Sequence, residues 1–226
     1  MRRQAGTRKL GNTAMAAVTV TALCAGGWLL HSGATTHAPP QPSAAEAATG
    51  RTSGQDPSQT ARSSPTSTLT PTVTLTPSSP HRIRIPSIDV NAPLTGLGLT
   101  PTGSLDAPPA EKKNLAGWYE AGTTPGETGT AIVAGHVDNA DGPAVFYSLG
   151  ALKKGAVIEV DRRDGSTAVF TVDAVEVYRA SAFPDEKVYG AAPRPELRVI
   201  TCGGGYSRAT GYQGNVVVFA HLTGSR

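Results

Sequence analysis

Two residues of this chain sit where strands would end and carry side chains able to share a proton. Cys202 follows Leu197-Arg198-Val199-Ile200-Thr201, and His136 follows the run Thr130 to Gly135. A sheet presents side chains rigidly to the loop-lined clefts at its strand ends. An imidazole and a thiol held together exchange a proton, and a positive neighbour favours the nucleophilic thiolate, so the chemistry within reach is covalent attack on a carbonyl. Taken singly, His136 reads equally well as a satisfied polar residue and Cys202 as a small buried hydrophobe. The run Gly203-Gly204-Gly205 weighs against that bland reading of the cysteine. Three glycines allow a sharp turn and a close approach to a ligand, and they pack nothing themselves.

Attack on a carbonyl also requires a cation or backbone amides for the oxyanion. Arg208 lies six residues after Cys202, in the Gly203 to Gly214 loop before the final β-rich run, and can fold back over the cleft. Its competing reading is a solvated loop arginine. The remaining histidines, His31, His37, His81 and His221, read as structural or solvated. Without a second cysteine or a close histidine pair at ligand spacing, zinc has no support. Gly203 to Gly205 also lacks the Lys-Ser/Thr and following helix of a phosphate cradle. No metal or cofactor is expected.

The elements that must hold these residues are short and β-branched. The runs Arg82-Ile83-Arg84-Ile85, Ile88-Asp89-Val90, Thr130 to Ala134, Ala156 to Val160, Thr167 to about Val177, Leu197 to Thr201 and Asn215 to Ala220 are each predicted as strands. Turn signals separate them at Asn91-Ala92-Pro93, Thr124 to Glu127, Lys154-Gly155 and Asp164-Gly165. Only Ala144 to Leu152 and Asp185 to Tyr189 read as helical turns. Many short strands with few helices imply an all-β domain, a closed barrel or a sandwich.

Charge divides the chain further. The formal +3 over 226 residues comes from Arg2, Arg3, Arg8 and Lys9, since residues 81–226 carry 14 Lys and Arg against 15 Asp and Glu. The globular part is therefore not basic, and its aromatics are too sparse to interleave with cations as a nucleic-acid groove would need. Ala14 to Leu30 holds no charge over 17 residues, long enough to span a bilayer as a helix with the cationic flank inside. A cleaved signal peptide is the competing reading, with Ser32, Gly33 and Ala34 as candidate small residues. Residues 32–80 include 28 Pro, Ser and Thr out of 49 and no aromatic, so they cannot bury a core. The expected organisation is a cytoplasmic basic segment (1–13), a transmembrane signal-anchor (14–31), a disordered spacer (32–80) and an extracytoplasmic domain (81–226). Cys24 belongs to the anchor. Cys202 is then a lone thiol in a compartment that usually pairs thiols.

In their order, these pieces resemble the sortases, membrane-anchored cysteine transpeptidases of Gram-positive bacteria. The resemblance rests on Ala134-Gly135-His136 after one strand, Leu197-x-x-Ile200-Thr201-Cys202 ending another, and a basic residue before a last strand, and it covers roughly residues 81–221. Thr201-Cys202-Gly203-Gly204, the stretch Ala131 to Asp138 and the tract Gly142 to Phe146 look most like the class F sortases of actinobacteria. The resemblance implies an eight-stranded β-barrel with short helices. It also implies cleavage of an LPxTG-like sorting signal between Thr and Gly, through a thioacyl enzyme resolved by an amine of a peptidoglycan precursor. By motif, Cys202 is the nucleophile, His136 the general acid/base and Arg208 the oxyanion or carbonyl-holding residue, with Ala134, Ile200 and Thr201 lining the substrate groove. The best-known sortases place the arginine later, where this chain has about Asn215. Should Arg208 face solvent, Asn215 or backbone amides would take its role.

Two other readings compete. An L,D-transpeptidase also uses a Cys-His pair on a β-rich fold, but would show its histidine close to a Ser-x-Gly-Cys-Arg block, whereas here 66 residues separate His136 from Cys202. A tethered wall-binding barrel with an inert cysteine leaves the glycine-rich flank and the unpaired thiol without a purpose.

Overall fold

The computed structural model describes residues 38–48 and 73–226. The expected anchor, 14–31, lies outside the described residues, as does most of the spacer. Strand β1 (Pro80–Ile85) follows the alternation in its sequence: Ile83 and Ile85 are fully buried, while Arg84 points outward to Glu159 and Asp161. A 3-10 turn and the left-handed Asp89 (φ 55°) then lead into β2 (Val90–Leu97).

Further along the chain come β3 (Ala116–Tyr119), β4 (Gly129–Gly135) and a small ladder of β5 (Asp138–Asn139) with β6 (Gly142–Pro143). They are followed by β7 (Val157–Arg162), β8 (Thr167–Arg179), the helix α1 (Asp185–Tyr189), β9 (Pro195–Ser207) and β10 (Gly211–Ser225). Eight strands close a barrel in the order β1-β2-β3-β4-β9-β10-β8-β7. Pairing is antiparallel except for β2 with β3 and β4 with β9. Of the two helical stretches expected, Asp185 to Tyr189 is α1, but Ala144 to Leu152 contributes only the 3-10 turn Leu149–Ala151. Strand β3 falls outside the β-rich runs picked from sequence, because Ala-Gly-Trp-Tyr carries no β-branched residue.

Two apolar layers position the site. Inside the barrel, Val133, Phe146, Phe170, Leu197, Val199 and Val218 belong to one buried cluster. On the outer face, Ile132, Ile200, Val217 and Phe219 pack with Val188 of α1. Strands β4 and β9 are thus covered on both sides, which explains uninterrupted runs such as Ala131-Ile132-Val133 in place of strict alternation.

Part of the segment read as spacer lies against the barrel. Ala44–Glu46 forms a 3-10 turn, and Glu46 accepts a hydrogen bond from the Lys154 amide at 2.8 Å. Lys154 Nζ reaches the Ala47 carbonyl at 2.6 Å, and the Ala48 amide donates to Glu176 at 3.1 Å. The barrel's ordered surroundings also begin before residue 81: the Leu75 amide bonds the Gly126 carbonyl at 2.8 Å, and Thr76 offers its carbonyl to the buried Arg162. Leu75 packs against the edge of the barrel core and beside Gly126. The contacts of Ala44 to Ala48 are polar, between backbone groups and the side chains of Glu46, Lys153, Lys154 and Glu176.

Candidate active site

The site is built on the parallel pair β4–β9. Ala134 stands opposite Ile200 in that pair, so His136 and Cys202, each two residues further on, emerge level at the same end of neighbouring strands about 4.8 Å apart. Residues alternate faces along a strand. Because Leu197 and Val199 are in the interior cluster and Ile200 in the outer one, Cys202 shares the outer face with Ile200. The same parity puts Ala134 beside Ile132 on that face, and His136 follows directly after the end of β4. Ala134 and Ile200 therefore form its floor, while Leu105, Tyr119 and Phe183 pack around the outer cluster.

Thr201 does not line this face. It is 4% exposed and points inward, and its hydroxyl donates to the Gly135 carbonyl at 2.8 Å. It ties the residue before Cys202 to the residue before His136, so its side chain is engaged inside the barrel and not on the face expected to form the groove.

His136 is held from the opposite side. Its Nε2 lies 2.7 Å from the Pro108 carbonyl. A carbonyl only accepts, so Nε2 carries the hydrogen and Nδ1 is left for proton exchange. The carbonyl belongs to the long β2–β3 connection, which is tied twice more to the loop after His136, by Asn139 Nδ2 on the Ala110 carbonyl at 2.7 Å and Lys113 Nζ on the Asp141 carbonyl at 2.8 Å. Gly135 admits this packing, since a Cβ there would fall 2.7 Å from both Val145 and Phe146.

Cys202 is exposed and unpaired. Its thiol is pushed above the ordinary value of 9.0, chiefly by burial of the sulfur's surroundings and then by the negative charge of Asp138. Asp138 accepts a short hydrogen bond from the Tyr212 hydroxyl, and the ring of Tyr212 lies 5.1 Å from that of Tyr206. Burial and the same carboxylate push the Tyr212 hydroxyl up as well, so it remains a proton donor. Neither Asp138 nor Tyr212 is a residue that sequence reasoning assigned to the site. The only local signal was that Asp138 stands two residues after His136; its partner is 74 residues away.

The expected third member is placed differently. Strand β9 runs on through Gly203 to Ser207, with a bulge against β10 where Gly204 takes a left-handed φ of 76°, and Arg208 sits exposed in the turn beyond, its side chain with no hydrogen bond or ion pair among the described residues. The glycines therefore do not form a sharp turn after the cysteine. Instead Gly203 lets β10 approach, because a Cβ there would meet Val216 at 2.6 Å. Directly opposite Cys202 in the β9–β10 ladder stands Asn215, which has Tyr178 of β8 as its other neighbour. Asn215 shares the outer face, since Val216 and Val218 point inward, and its side-chain amide has no hydrogen-bond partner among the described residues. A separate cleft of about 290 Å³, lined by Asp89, Lys113, Asn114 and Tyr147 among others, includes neither Cys202 nor His136.

Comparison with known proteins follows this geometry. The family model for the sortase domain matches residues 83–223. No curated protein matches the chain. Sortase A from Corynebacterium diphtheriae superposes with a TM-score of 0.50 at 24% identity, over 66% of this chain and 61% of that one. The chain thus spans about six-tenths of that protein's length. Sortase A from Listeria monocytogenes (18% identity, 66% of this chain, 90% of that one) and SrtA from Actinomyces oris (19%, 69% and 87%) both give 0.49. At these identities the likeness is one of fold.

Proposed function

The chain belongs to the sortase family, and from that premise we propose that it is an extracytoplasmic cysteine transpeptidase, closest to class F, held at the membrane by residues 14–31. Its substrate is an LPxTG-like sorting signal, cleaved between Thr and Gly, and the acyl group passes to an amine of a peptidoglycan precursor. The observation that supports this reading is the β4–β9 register, in which Ala134 stands opposite Ile200, each two residues before His136 and Cys202.

The chemistry follows from the residues. The Cys202 thiolate attacks the threonyl carbonyl of a signal laid over Ala134 and Ile200. The developing oxyanion takes a hydrogen bond from the Asn215 amide, the free donor nearest the sulfur in register. Arg208, in its exposed turn, reaches the site only if the β9–β10 hairpin folds over. His136, with Nε2 committed to Pro108, delivers its Nδ1 proton to the departing glycine nitrogen. The thioester then awaits the amine. Because burial and Asp138 disfavour the thiolate, the reactive thiolate–imidazolium pair is a minor form of the free enzyme, and the bound signal reacts from that fraction.

Incubation with an LPxTG-type peptide is expected to leave a hydroxylamine-sensitive adduct on Cys202. Cys202→Ala should abolish peptide turnover while preserving the fold, as judged by circular dichroism. Turnover retained by that variant would end the transpeptidase reading, and peptide binding without any adduct would favour a wall-binding module.

A further inference from the structure

Asp138 is a liability for the first half of the proposed reaction. A carboxylate beside the sulfur opposes thiolate formation, and nothing in acylation makes use of it. It is half-buried, it forms no ion pair among the described residues, and its one side-chain hydrogen bond is from the Tyr212 hydroxyl. That bond links the loop after His136 to β10, the strand whose Asn215 stands opposite Cys202, and so fixes where the carboxylate sits. A partly desolvated anion held in place without a cation is poised to receive one.

Resting on the transpeptidase reading, we propose that Asp138 is the recognition residue for the acceptor, binding its ammonium group next to the thioester, with Tyr212 as the residue that positions the carboxylate. Amines of peptides and lysine side chains are ammonium ions at neutral pH. Once Cys202 is acylated the sulfur carries no charge, so the carboxylate no longer opposes anything and faces only the incoming cation. The ammonium gives one proton to His136 Nδ1, and the freed lone pair attacks the thioester carbon. The C–N bond forms, the C–S bond breaks, and the electron pair leaves with sulfur. A second amine proton passes to solvent, so the products are the amide, the thiolate and the imidazolium. Nitrogen regains a positive charge as the C–N bond forms, and Asp138 stabilises it in the bound ammonium and again in the tetrahedral adduct.

The test is a competition for one acyl-enzyme. The enzyme, its LPxTG-type peptide, a lysine-containing peptide and hydroxylamine are mixed at neutral pH, where hydroxylamine is uncharged, and the ratio of amide to hydroxamate is measured by mass spectrometry. Only folded, acylated enzyme makes either product, so the ratio is insensitive to the fraction folded. Asp138→Asn should lower it at least tenfold. Tyr212→Phe should lower it by less, and Asp138→Glu should restore part of it. A ratio within twofold of the unaltered enzyme in Asp138→Asn overturns the proposal. Failure of the unaltered enzyme to form either product overturns the transpeptidase reading itself, and the proposal with it.

Discussion

Around Cys202 the proposed tasks divide according to which side chains share the outer face. His136 has one ring nitrogen engaged by Pro108 and the other free, a backbone counterpart to the carboxylate that orients the imidazole in a Ser-His-Asp triad. Asn215 and Arg208 compete for the oxyanion role, and they separate cleanly by mutation. Removing a single oxyanion-hole donor typically costs about 10²–10³ in kcat. Asn215→Ala should therefore lower the acylation rate on that scale, whereas Arg208→Ala should leave it within about threefold. The opposite ranking, measured by single-turnover release of the glycine-side product, would return the role to the arginine.

At the scale of elements, the segment 39–48 reaches the β9–β10 hairpin at Gly204, two residues beyond Cys202. Gln41 Oε1 accepts from the Gly204 amide at 3.2 Å, and the Pro40 carbonyl sits so close to Gly150 that a Cβ there would fall 2.0 Å from it. Docking of this segment depends in part on Glu46. Its carboxyl is held below the ordinary 4.5, foremost by the hydrogen bond from the Lys154 amide. A depressed carboxyl contributes to docking in full above its ordinary value, and the contribution is lost as pH falls through the lowered one. Glu46→Gln should therefore reproduce at neutral pH what acid does to the unaltered chain: faster hydrogen exchange at the Lys154 and Gly204 amides relative to their intrinsic rates. Equal protection in both proteins would show that the carboxylate does not hold the segment.

For the molecule as a whole, the basic character is confined to the extreme N-terminus and the barrel is formally −1. On the proposed topology, with the cationic end inside and the barrel outside, the exposed Cys202 should react with a membrane-impermeant maleimide on intact cells, and Cys202→Ser should abolish that labelling. Labelling that requires lysis would contradict the topology. The closed sheet itself is what makes a precise site possible. Its interior and outer apolar layers clamp β4 and β9 from both sides, so the two chemistry-bearing strand ends cannot shift independently.

The sequence by itself determined the all-β character, singled out Cys202 and His136 as candidates, and marked off a cationic end, an apolar stretch and a Pro/Ser/Thr tract. These are local properties: hydrophobic periodicity, turn residues and charge along the chain are written in consecutive positions. Which residues surround the pair was decided only by the tertiary structure. Thr201 turns inward, Asn215 comes opposite Cys202, Pro108 holds His136, and Asp138 meets Tyr212 across 74 positions. Such neighbours depend on register between distant strands, where a slip of one residue moves every side chain to the other face. No local pattern encodes that register. It is fixed by closing the barrel around a core that accepts one alignment.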